Sequence, residues 1–135
     1  MERLKERLMI ARKALGTFLE LAAKDGYIEY PSLERRDAAI QRFEYSFEAV
    51  WKAVQLYLAE REALPIGSPK GCIRASHEVG LLSESEAEIA LQMAEARNLT
   101  AHTYDEGVAH HLYKNLPEYG KSLDLWLGKV ESIVK

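Results

Sequence analysis

The sequence predicts an all-α protein, an antiparallel (up-down) four-helix bundle with one or two additional short helices. Three observations carry this expectation. Apolar residues recur at alternating spacings of three and four along most of the chain, the signature of amphipathic helices. No stretch alternates with the period of two that a strand requires. The breaks between periodic stretches hold helix-capping residues rather than hairpin turns.

Taken in order, the first helix carries Leu4, Leu8, Ala11, Leu15, Phe18 and Ala22, and Lys24-Asp25-Gly26 ends it with a glycine suited to a left-handed cap. Gly26 to Ser32, with Tyr27, Tyr30 and Pro31, reads as a connection. A long second helix spans about Leu33 to Glu62, and its stripe of Ile40, Phe43, Phe47, Val50, Val54, Tyr57 and Leu58 is the heaviest apolar load in the chain. Ser68-Pro69 places an N-cap before a proline at the first helical position, opening a short helix that stops at Gly80. Ser83-Glu84-Ser85-Glu86 is a capping box, so another helix begins there and runs to Arg97. Its alanines, Ala87, Ala90, Ala94 and Ala96, permit close approach of a neighbour. Asp105 can cap a helix holding Val108, Leu112 and Leu116, and Pro117 is expected to begin a last one with Trp126, Leu127 and Val130.

At 135 residues the chain is expected to be a single domain, 1–135, with enough length for a real core. A net charge of -3 gives no global basic footprint for avid nucleic-acid binding, although a local phosphate site is compatible with it. One cysteine, Cys72, precludes an internal disulfide framework and fits a reducing compartment, so a cytoplasmic location is expected. No apolar run reaches the length of a membrane span.

Chemistry concentrates in Arg97-Asn98-Leu99-Thr100-Ala101-His102-Thr103-Tyr104. Arg97 supplies a bidentate phosphate fork, Asn98 a positioning amide, His102 a proton shuttle and Tyr104 a nucleophilic hydroxyl. On one continuous helix, Arg97 and His102 would stand about 140° and roughly 7.5 Å apart, facing different points. They converge only if the helix ends between them or if two chains contribute copies across a dimer axis. An extended Ala101–Tyr104 would put His102 and Tyr104 on one side. Such a set suits a metal-free phosphodiester site, with Arg97 stabilising transition-state charge and His102 moving a proton. A charged helix end is the plainer alternative, because cations and amides there complement the dipole and cap carbonyls.

Other candidates point to structure. Adjacent His110 and His111 diverge on a helix, and His77-Glu78 lacks a second ligand one turn on. Cys72 reads as a small core residue. Glu44 and Glu48 read as a solvated helix edge, Arg35, Arg36 and Arg42 as i,i+4 surface partners, and Tyr27 and Tyr30 as covers for the bundle end. No metal or cofactor motif is found, and no glycine loop or carboxylate set would let the chain transfer nucleotides itself.

Three segments in order, Ile40-Gln41-Arg42-Phe43-Glu44-Tyr45-Ser46-Phe47-Glu48 with Trp51-Lys52, Ser68-Pro69 through Ile73-Arg74, and Arg97 to Tyr104, resemble the HEPN superfamily. Within it the chain is similar to the nucleotidyltransferase substrate-binding proteins over nearly its whole length, with the arginine-x4-histidine-x-tyrosine signature intact. The resemblance implies a bundle similar to the C-terminal domain of kanamycin nucleotidyltransferase, a homodimer, and a minimal nucleotidyltransferase partner encoded nearby. It further implies a ribonuclease toxin, with Arg97 and His102 catalytic on RNA and Asn98 positioning. The partner would act as antitoxin by adding AMP to Tyr104. The family's other implied role is a non-catalytic subunit that presents substrate to the transferase.

Overall fold

The computed structural model describes residues 2–29 and 32–134, so Tyr30 and Pro31 of the expected first connection lie outside the described residues. Among the described residues five α-helices follow one another: α1 (Glu2–Ala22), α2 (Leu33–Arg61), α3 (Pro69–Glu78), α4 (Glu84–Leu99) and α5 (Glu106–Val134). A single turn of 3-10 helix, Thr100–His102, links α4 to α5. Among the described residues there is no strand.

The local signals act as their chemistry dictates. Ser32 and Ser68 cap α2 and α3 by accepting the N–H of Arg35 and Gly71, each at 3.1 Å. Ser83 and Glu86 form the reciprocal capping box of α4, at 3.2 and 2.8 Å. Asp105 Oδ1 accepts from Gly107 at 2.9 Å and Val108 at 3.3 Å to start α5. At the end of α3, Gly80 (φ +84°) reverses the chain, with Leu81 N–H bonded to Ser76 O and Gly80 N–H to His77 O. Gly26 is also left-handed (φ +77°), but it shapes the turn after α1 rather than capping a helix that ends at Ala22.

Side-chain register sets the directions. Arg42 on α2 donates to Thr17 O, and Ser46 donates to Ala14 O, so α2 descends as α1 climbs. Gly120 of α5 lies against Phe18 and Leu19 while Asp124 and Glu131 reach Arg12, so α5 also opposes α1. Lys129 of α5 faces Glu86 at the start of α4, which makes α4 antiparallel to α5. The four long helices therefore run up, down, up, down, with α3 laid across α2 and α4. Phe43 is a hub of the core, its ring 5.8 Å from Phe18, 6.1 Å from Phe47 and 5.9 Å from Tyr119. Each such buried side chain contributes about 1.5–3 kcal/mol of hydrophobic stabilisation.

Pro117 does not begin a helix; α5 runs through it. A proline inside a helix deprives the carbonyl four residues back, here Tyr113, of its N–H partner. Tyr27 supplies a replacement, its hydroxyl donating to Tyr113 O at 2.8 Å. Tyr113 in turn donates its hydroxyl to Tyr27 O, and the two rings stack at 4.1 Å. Burial pushes both phenols above their usual range, which keeps them protonated donors.

The second helix's arginines also depart from the expected i,i+4 pairing. Arg35 donates to Gly26 O at 3.0 Å, Arg36 makes a forked pair with Glu106 at 2.8 and 3.3 Å, and Arg42 holds Thr17 O at 2.9 Å. Each spans two elements, because each side chain is long enough to cross the seam to its neighbour.

Candidate functional site

The motif occupies the end of α4, the 3-10 turn and the residues leading into α5. Thr100 explains the change of helix type. Its side chain is buried, donates to Arg97 O at 2.7 Å and accepts Arg97 Nη1 at 3.0 Å. A hydroxyl that takes the carbonyl of residue i−3 tightens the last turn. Leu99, Thr100 and Thr103 keep helical dihedrals, so the chain does not take the extended form under which strand alternation would pair His102 with Tyr104.

Arg97 turns toward α2. Its Nη1 lies 3.7 Å from Glu44 and its Nη2 3.7 Å from Glu48. Glu44 and Glu48, expected at a solvated edge, are half-buried carboxylates facing this guanidinium. These contacts are too long for the forked hydrogen bonds of a saturated pair. The buried Nε of Arg97 has no hydrogen-bond partner. Arg97 and Asn98 line a cleft of about 470 Å³ with Phe47, Ser68, Lys70 and Arg74.

His102 and Tyr104 lie outside that cleft. Both are exposed, Tyr104 at 82%, and the Tyr104 hydroxyl is 3.2 Å from His102 Nδ1 with the rings edge to face. Helical turn geometry, not strand alternation, brings them together. The fold thus divides the motif in two: an arginine–amide half in the cleft and a histidine–tyrosine half on the surface. It does not bring Arg97 and His102 of one chain into contact. Sequence spacing missed Glu44 and Glu48 as the arginine's partners, and also Lys70 and Arg74 as its neighbours in the cleft. The one available signal was that Glu44 and Glu48 share a helix face with Phe47 and Trp51.

The remaining candidates are structural in position. Cys72 is buried and its thiol is pushed up to about 11 by that burial, which disfavours the reactive thiolate. His77 Nδ1 meets Leu82 O at 3.0 Å beside the α3 turn, while His110 and His111 are exposed on α5. Among the described residues no group of three or more His, Cys, Asp or Glu is arranged to hold a metal ion. Among the described residues no helix is long and apolar enough to cross a membrane.

The fold and site define, by class, an up-down helical bundle with a half-paired arginine in a cleft beside α2. Residues 6–132 match the family described as nucleotidyltransferase substrate binding protein like, and the chain belongs to that family. The fold is similar to the crystal structure of a protein from Thermus thermophilus, with 51% identity and a TM-score of 0.82 over 89% of this chain and 98% of that one. No curated protein matches the chain.

Proposed function

We propose that this chain is the HEPN partner of a minimal nucleotidyltransferase and a metal-independent endoribonuclease, the toxin of a toxin–antitoxin pair, silenced by AMP addition at Tyr104. The observation that carries the reading is the 3.2 Å contact between the exposed Tyr104 hydroxyl and His102 Nδ1. In cleavage, the ribose 2′-hydroxyl attacks the adjacent phosphorus and the bond to the 5′-oxygen breaks. One proton leaves the 2′-hydroxyl and another reaches the departing oxygen. His102 moves one of these protons, Arg97 offsets charge on the phosphorane, and Asn98 orients the phosphate. Because Arg97 and His102 of one chain face different surroundings, the pair is completed across a homodimer, one protomer's arginine meeting the other's histidine.

The same contact explains control. When the Tyr104 oxygen attacks the α-phosphorus of ATP in the transferase, pyrophosphate leaves and the phenol proton passes to a base; the 3.2 Å contact supports His102 Nδ1 in that role. The product sets an adenylate and its negative charge against the catalytic imidazole and repels an RNA phosphate. Expression of the wild type alone should degrade RNA and arrest growth, and His102→Ala or Arg97→Ala should relieve both; intact RNA in the wild type would remove the ribonuclease reading. Co-expression with the transferase should add adenylate-sized mass that Tyr104→Phe abolishes.

A second reading is a non-catalytic substrate-binding subunit. It is favoured by the cleft of about 470 Å³, in which Arg97, Lys70 and Arg74 surround a volume fit for a small phosphorylated acceptor and from which His102 is absent. It expects a harmless chain that the transferase requires for turnover on a free substrate.

A further inference from the structure

The Arg97 cleft is one end of a longer depression. A second hollow, of about 370 Å³, lies between α1 and α2 and shares Glu48 with the cleft. A third, of about 320 Å³, shares Arg7 and Lys52 with the second and ends at Arg3. Through these shared side chains the three adjoin in a row, a trough across α1, α2 and α3. Six of the chain's 18 lysine and arginine side chains line it (Arg3, Arg7, Lys52, Lys70, Arg74 and Arg97) against one of its 21 carboxylates, Glu48. The lining is therefore rich in cations for a chain of net charge -3, with Glu95 and Glu44 at its edge paired to Lys70 and Arg97.

Its cations are poorly neutralised. Arg3, Arg7 and Arg74 make no ion pair among the described residues, and Lys52 comes no nearer than 4.0 Å to Glu48. Lys70 is held by Glu95 and Arg97 by its two distant glutamates. Glu48 is compensated in place by Trp51 Nε1 at 3.2 Å as well as by Lys52 and Arg97. Unpaired like charges one turn apart repel in the empty protein, a cost that a bound polyanion removes. Tyr45, 39% exposed, lines the middle hollow, an aromatic face among cations. Cations that track a backbone, interleaved with an aromatic platform, are the pattern of a single-stranded nucleic-acid channel.

We infer that this trough is the path of single-stranded RNA toward Arg97, with Arg3, Arg7 and Lys52 holding phosphates upstream of the cleft and Tyr45 stacking a base. The inference rests on the ribonuclease reading but concerns residues remote from the motif. An acidic segment of a partner protein is the competing occupant; the aromatic platform and continuity with Arg97 favour RNA.

The test uses full-length protein carrying His102→Ala, titrated with a fluorescently labelled single-stranded RNA of mixed sequence. Arg7→Gln/Lys52→Gln should weaken binding by about tenfold. It should also lower the slope of log affinity against log salt by about 1.4, since a single-strand phosphate contact contributes about 0.7. Tyr45→Ala should weaken binding several-fold, whereas Lys121→Gln on α5, outside the trough, should change nothing. In the otherwise wild-type chain the double variant should raise KM for long RNA with kcat within twofold. RNA bound by the parent with equal affinity in the double variant overturns the trough and leaves the ribonuclease reading standing. Loss of transferase binding in place of RNA binding assigns the trough to a protein and overturns it too. A His102→Ala parent that does not bind RNA, together with a wild-type chain that does not cleave it, removes both.

Discussion

Two arginines of this protein each face two carboxylates, and they are held very differently. Arg12 on α1 reaches Asp124 at 2.5 Å and Glu131 at 2.6 and 3.1 Å. Arg97 stands 3.7 Å from each of Glu44 and Glu48, with a buried Nε that bonds to nothing. The first fastens α1 to α5 and has little left to offer a ligand. The second is oriented by Thr100 and its glutamates without being saturated by them. An arginine in that state can exchange its loose partners for a phosphate at small cost, because the desolvation of Nε is already in place. Donor saturation, more than exposure, separates the two; the side chains are 37% and 29% exposed.

Four variants and one acid titration test how these contacts are held, the largest effect first. Arg97→Ala should reduce RNA cleavage by about 100-fold or more, as loss of a charge-stabilising donor does, with the melting temperature nearly unchanged. A large drop in stability instead would make Arg97 a fastener like Arg12. Tyr27→Phe should cost about 1–3 kcal/mol in denaturant unfolding, because it leaves the Tyr113 carbonyl buried without a donor. Arg12→Ala should cost about 1 kcal/mol, less in high salt, and leave cleavage intact. Glu44→Gln with Glu48→Gln should loosen the hold on Arg97 and tighten binding of a nucleotide anion a few-fold, measured by calorimetry.

The smallest effect concerns acid. The Ser83 backbone N–H holds the Glu86 carboxyl below its usual range, with Lys129 adding to the shift. Its contribution to stability is therefore present above the ordinary glutamate pKa and fades as the pH falls through the depressed value. Glu86→Gln keeps the capping geometry and should flatten the acid limb of the unfolding curve by a few tenths of a kcal/mol.

What could be read in the residues was local. Ser68-Pro69 and Ser83-Glu86 announce helix starts because cap and capped N–H lie within three residues. The motif's composition was equally open to view. Its geometry was not, because Arg97 is placed by Glu44 and Glu48 from a different helix, and Thr100 was visible only as a residue that bonds locally. The helix boundary expected at Pro117 failed for the same reason: the donor that replaces its missing N–H comes from Tyr27, 86 residues away in sequence from Tyr113. Arg36 pairs with Glu106 across 70 residues, so a rule built on adjacent turns could not find it.

The Tyr27–Tyr113 clasp over Pro117 also constrains the order in which this sequence can drift. While proline stands at 117, losing the Tyr27 hydroxyl strands a carbonyl. Once Pro117 is replaced by alanine, the helix recovers its own N–H there and the hydroxyl becomes dispensable. Position 27 is thus free to vary only after position 117 has changed, and the reverse path crosses a less stable intermediate. The pair is a small case of history written into a fold: two distant sites whose permitted neighbours depend on which of them moved first.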